Sequence, residues 1–172
     1  MKKEQGFTLI ELLIVVAIIS IIAAIAVPGL MRAKMSGNET AAMADMRQIT
    51  VAETMYSAGC GNSGYAVSLV TLGVPSPGSL EPYLSAGLTS SATPLKEGYK
   101  FAVVAGAGAV AGANDCNGTA TQTTYYATAI PQTYGSTGGR SFAANAGNSI
   151  WQLTAATAPT EPFGAPAVVI GG

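Results

Sequence analysis

Between Leu12 and Val27 every residue is apolar except Ser20. With Phe7–Ile10 in front, a helix over Phe7–Leu30 is about 36 Å long at 1.5 Å per residue. That length crosses a bilayer core of roughly 30 Å with some tilt, so the segment is expected to enter a membrane. Lys2 and Lys3 precede it and favour a cytoplasmic N-terminus, although Arg32 and Lys34 on the far side weaken that bias.

Three fates are open to such a segment. An ordinary secretory signal is removed at its far end, and Ala24-Ile25-Ala26 is an acceptable small-x-small cleavage site. A simple anchor keeps its helix uncut. In the third case a short leader is cut off before the apolar run, and the helix is kept for assembly. Glu11 separates these readings. A carboxylate inside an apolar helix costs about 2.5–3.5 kcal/mol on the insertion scale. A cut between Gly6 and Phe7 creates an ammonium four residues before Glu11. Within one helix or between neighbouring subunits, the two charges can then neutralise each other. In an apolar assembly a paired charge is far better than an unpaired one, so the carboxylate can set subunit register.

The run Gly6-Phe7-Thr8-Leu9-Ile10-Glu11-Leu12-Leu13, behind its short basic leader, resembles the processing and methylation signature of type IV prepilins and type II secretion pseudopilins. The resemblance implies a leader at residues 1–6, cleavage after Gly6 by a membrane prepilin peptidase, and N-methylation of Phe7 by the same enzyme. It also implies Glu11 as the assembly glutamate. The expected partners are other copies of this chain in a helical polymer, the peptidase/methylase, the inner-membrane assembly machinery, and the membrane before assembly. The precursor would sit in the inner membrane and the product in an extracellular filament. Rival readings are a type II secretion pseudopilin, a minor or DNA-uptake pilin, or a secreted binding domain released by ordinary signal peptidase.

Pro28 removes a helical hydrogen bond and clashes with the preceding turn, so it should kink or loosen the helix, or mark the membrane exit. Beyond it, Ala42, Met46, Ile49, Ala52 and Tyr56 recur at three- and four-residue spacing, with Glu39, Arg47, Thr50 and Thr54 mostly on the other side. This is an amphipathic helix that needs a surface to cover its stripe. Ser36-Gly37-Asn38 is a place where it can bend, and Ser57-Ala58-Gly59 should end it, with a left-handed glycine cap. The helix is therefore expected over residues 7–58, split into an assembly half at 7–30 and an amphipathic half at 31–58.

Residues 59–172 read as a head of the α+β class, with the long helix packed on an antiparallel sheet of about four strands. Residues 61–98, rich in Gly, Ser and Pro, look like a connection with one or two helical turns. Strands are predicted at Tyr99–Ala105, Thr123–Pro131, Arg140–Ala144 and Ser149–Leu153. Trp151 and Leu153 are expected against the helix stripe. Cys60 and Cys116, an even pair in an exported domain, are expected to form a disulfide worth roughly 4 kcal/mol by chain entropy.

The remaining chemistry is sparse. The chain has no histidine, and its formal net charge of -1 gives no footing for nucleic-acid binding through bulk electrostatics. From Phe101 onward the only charged side chains are Asp115, Arg140 and Glu161. Asp115 beside Asn114 and Asn117 is the one hint of a cation site, and a plain turn is the simpler reading. No nucleophile–base pair or phosphate loop stands out, so no enzyme activity, metal or cofactor is expected. Besides Phe7, Tyr56 is the one aromatic on the long helix, which gives no aromatic ladder for electron conduction.

Overall fold

The computed structural model describes residues 7–170, so the leader, with Gly6, lies outside the described residues. Contacts divide the chain at Lys34/Met35 into two compact units. The first unit holds the beginning of helix α1, Leu9–Gly59. Every side chain from Phe7 to Lys34 is exposed. The helix is long and apolar enough here to cross a membrane. Pro28 lies inside α1, and neither it nor Ser36-Gly37-Asn38 ends the helix.

The second unit is the head. Its part of α1 buries Ala42, Met46, Ile49, Ala52 and Tyr56, the stripe expected from the periodicity. Glu39 and Thr50 differ from the expectation: both are buried, whereas Arg47 and Thr54 are exposed. Glu39 finds its partners in the Gly139 amide and Arg140, and Thr50 Oγ1 donates back to the Arg47 carbonyl of its own helix at 2.9 Å. α1 ends at Gly59, as expected, but the left-handed residues are Asn62 and Ser63, at φ 51° and 68°. The Cys60 and Gly61 amides both donate to the Tyr56 carbonyl, at 3.0 and 2.7 Å, and this delays the turn.

Strand β1 (Tyr65–Ala66) follows, then the single-turn helices α2 (Leu69–Leu72) and α3 (Ala86–Thr89), within the connection read from composition. Next come β2 (Leu95–Lys96), β3 (Tyr99–Ala105), β4 (Thr121–Gln122), β5 (Tyr125–Pro131), β6 (Ser141–Asn145), β7 (Ile150–Leu153) and β8 (Val168–Ile170). The main sheet has the order β2-β3-β5-β6-β7-β8, with every pair antiparallel, and β1 pairs with β4 in a separate ribbon. The four predicted strands are its centre, and β2 and β8 extend it to six. β2 exists because Glu97 and Gly98, both at positive φ, form a two-residue hairpin loop between Lys96 and Tyr99.

One face of the sheet meets α1 through Tyr99, Phe101, Val103, Tyr125, Ala127, Ala129, Phe142, Ala144 and Ile150. Each fully buried aromatic contributes about 2–3 kcal/mol of transfer free energy, so this face dominates the head's stability. The alternation puts Ile150 inward and corrects the placement of Trp151. Trp151 pairs with Ala143 and Val169 on the opposite face, where it stacks on Phe163 at 5.5 Å between ring centroids. The C-terminal segment covers that face, so an aromatic side chain finds burial there as well.

Candidate functional site

Phe7 is the first described residue and is 91% exposed. Next to it, Thr8 and Glu11 cap the helix reciprocally. The Thr8 amide and hydroxyl donate to Glu11 Oε2 at 2.9 and 2.7 Å, and the Glu11 amide donates to Thr8 Oγ1 at 3.3 Å. Two amides that the helix itself cannot satisfy are thereby paired. Glu11 thus has a local structural role that the sequence argument omitted. The Thr-x-x-Glu spacing carried that signal. The cap leaves the carboxylate exposed, four residues after Phe7 and ahead of an exposed apolar helix. Further along, Ser20 Oγ donates back to the Val16 carbonyl at 2.7 Å, so this hydroxyl imposes no unpaired donor on an apolar setting.

In the head, α1 turns three acids toward the sheet and loops. Glu39 accepts from the Gly139 amide at 2.7 Å and pairs with Arg140 through Nε at 2.8 Å and Nη2 at 2.7 Å. Arg140 also reaches Gln152 Oε1 at 2.8 Å. Asn38 donates to the Thr137 carbonyl at 2.9 Å, so one helical turn holds the β5–β6 connection twice. Asp45 pairs with Lys96 at 2.6 Å and fastens β2. Glu53 is fully buried and accepts from the Ala66 amide at 2.9 Å. The opposite side of this helix exposes Thr40, Ala44, Arg47, Gln48, Val51, Thr54, Met55 and Ala58, among which Arg47 is the single charge. Spacing alone does not distinguish an acid beside the stripe from one on the open face, so these three pairings were not legible.

Cys60 and Cys116 are bonded, with their Cα atoms 4.9 Å apart, as expected from their count. The bond ties the end of α1 to the loop between β3 and β4. Asp115 organises that loop: it accepts from the Asn117 and Thr119 amides at 2.9 and 2.6 Å and from the Tyr56 hydroxyl at 2.8 Å. The Tyr56 phenol is pushed up by burial and by the Asp115 hydrogen bond. Asp115 therefore spends its oxygens on protein donors, in keeping with the turn reading. Among the described residues no group of three or more His, Cys, Asp or Glu side chains could hold a metal.

Comparison with known proteins bears on the apolar end first. The family described as "Prokaryotic N-terminal methylation motif" matches residues 1–27. The chain is also 39% identical, over 79 residues, to a Thermus thermophilus protein named type IV wide pilus major component PilA4. The chain is thus similar over its first residues to the methylation motif, and over 79 residues to a type IV pilus component. The aligned region covers 44% of this chain and 59% of that relative, so the chain spans about three fifths of the curated relative it matches. No solved structure matches the chain significantly.

Proposed function

We propose that this chain is the structural subunit of a type IV pilus-like filament, cut after Gly6, methylated at Phe7 and polymerised through α1. The observation that carries the reading is the position of Glu11, the one carboxylate in an exposed apolar helix, four residues after Phe7. After cleavage the Phe7 ammonium of one subunit can meet Glu11 of another. An apolar bundle would strongly penalise leaving either group unpaired. Helices then bundle at the centre and heads tile the outside. The outer side of α1 in the head, where Arg47 is the single charge, supports this arrangement. A helix that turns its acids inward and keeps a side with Val51, Met55 and Ala44 in the open is suited to cover by other copies.

On this reading the precursor waits in the inner membrane with its N-terminus in the cytoplasm. A prepilin peptidase/methylase processes it, and the assembly machinery moves it into the filament. The role is structural, with no catalysis by the subunit itself. Pro28 provides a position where α1 can loosen inside the filament. The test is mass spectrometry of the mature N-terminus, on protein sheared from cell surfaces. A chain that begins at methylated Phe7 is the expected result. A chain that begins at Val27 would overturn the proposal and leave a secreted domain released from an ordinary signal.

A further inference from the structure

Glu53 is the one acid of the head helix that receives no cation. Glu39 has Arg140 and Asp45 has Lys96, but Glu53, fully buried, has only the Ala66 amide on Oε2. Its Oε1 has no hydrogen-bond partner, and neither does the buried Tyr125 hydroxyl from β5. The titratable groups around it are Tyr56 one turn along α1, Tyr125 on β5, and beyond them Tyr65 on β1 and Asp115 and Tyr83 against Tyr56. None is a cation. A carboxylate in this place has lost its water and gained one neutral donor, which does not offset the cost of a buried charge.

We propose that Glu53 is carried as the neutral carboxylic acid in the folded head and acts as a pH-sensitive latch on the β1–β4 ribbon. The Ala66 amide donates to Glu53 Oε2 in either protonation state, so the latch depends on the absence of charge beside the partnerless Oε1. Ala66 stands in β1, its carbonyl accepts from Gln122 Nε2 of β4 at 2.8 Å, and Gln122 also reaches the Val104 carbonyl of β3 at 3.2 Å. Loss of the proton puts an unpaired charge at the point where α1, the ribbon and the main sheet meet.

Burial raises the Glu53 carboxyl from its ordinary 4.5 to about 8, only partly countered by the Ala66 amide. The folded state therefore binds one more proton than the unfolded chain across that window. Stability from this group is complete below about pH 4.5 and falls as pH rises toward about 8. Tyr56 and Tyr125 are themselves pushed up by burial and stay neutral in this range.

The experiment uses the full chain in detergent micelles. The unfolding midpoint of the wild type should fall by several degrees, on the order of 5 °C, between about pH 5 and about pH 8. Glu53→Gln keeps an acceptor for Ala66 without charge. It should flatten this contribution and lie above the wild type near the upper limit. Parallel profiles, or a Gln variant below the wild type at about pH 8, would overturn the latch. An infrared titration of the wild type reads the proton directly. A protonated-acid carbonyl band should persist at about pH 6.5 and bleach above about pH 8, and its absence at about pH 6.5 would also sink the idea.

Discussion

Helix α1 is chemically two helices. Up to Lys34 it exposes every described side chain, and its one acid before the head, Glu11, stands at the outer tip. From Met35 to Gly59 it buries a regular stripe and turns Glu39, Asp45 and Glu53 toward the head. Both parts put acids in low-polarity settings, but they compensate differently. In the head the compensation is built into the fold: two ion pairs and one amide hydrogen bond. At the tip the fold supplies Thr8 alone, and on the proposed function the rest of the carboxylate's capacity serves a neighbouring subunit. Glu39 and Asp45 find their cations within the chain and Glu53 does not, whereas the assembly role proposed for Glu11 starts from a carboxylate whose pairing within one chain stops at Thr8.

The largest effect that can break this comparison is expected at Glu11. Glu11→Gln keeps an oxygen for the Thr8 amide, because glutamine serves a capping box as glutamate does. It removes the charge alone. Membrane insertion should persist, whereas filament yield falls at least about tenfold, equivalent to ~1.4 kcal/mol or more. Thr8→Ala does the reverse: it keeps the charge and loses a cap contact worth about 1 kcal/mol. Its filament yield should remain within a few-fold of wild type. Counting sheared filaments from both variants separates the two roles of the carboxylate. Equal losses would mean that the helix cap, not the charge, governs assembly.

Arg140 tests the other side of the comparison with an intermediate effect. Arg140→Met leaves Glu39 buried beside the Gly139 amide with no cation. Removing one partner of a buried pair costs about 3–5 kcal/mol. The arginine is 34% exposed, so water screens part of this, and about 1–3 kcal/mol is expected. The double variant Glu39→Leu/Arg140→Met should recover most of the loss, because an apolar replacement of both partners removes the orphaned charge. Thermal unfolding of the wild type and the two variants in micelles checks this. A double variant no better than the single one would show that the pair acts through geometry.

How much could be read in advance follows the same division. Periodicity located Ala42, Met46, Ile49, Ala52 and Tyr56, because an apolar stripe is a regular signal. The centre of the sheet was legible for the same reason, since β3 and β5 to β7 are rich in aromatic or β-branched residues bounded by glycine and asparagine. Strands of two or three residues such as β1, β2, β4 and β8 are too short to show alternation, and they exist through pairing with distant partners. Trp151 was misplaced because hydrophobicity does not tell which face a strand presents when both faces are covered. The methylation motif that matches residues 1–27 was legible as a run, but the Thr8 cap went unseen although it lies in that run. The inward acids had no local signal at all: the partners of Glu39, Asp45 and Glu53 are 101, 51 and 13 residues away.

The smallest expected effect on the fold concerns the open side of α1 in the head. Val51 is 56% exposed there, between Arg47 and Met55 on successive turns. Val51→Ser removes apolar area that the isolated head leaves mostly in water, and serine and valine have similar helix propensity. The unfolding free energy in micelles should change by no more than about 0.5 kcal/mol. Filament yield is the discriminating readout. If copies of the chain cover this side, polymerisation multiplies a small contact loss over every subunit, and yield should drop while the monomer is unaffected. A drop in monomer stability of about 2 kcal/mol would instead place Val51 in the head's own packing and erase the distinction between the covered and open sides of α1.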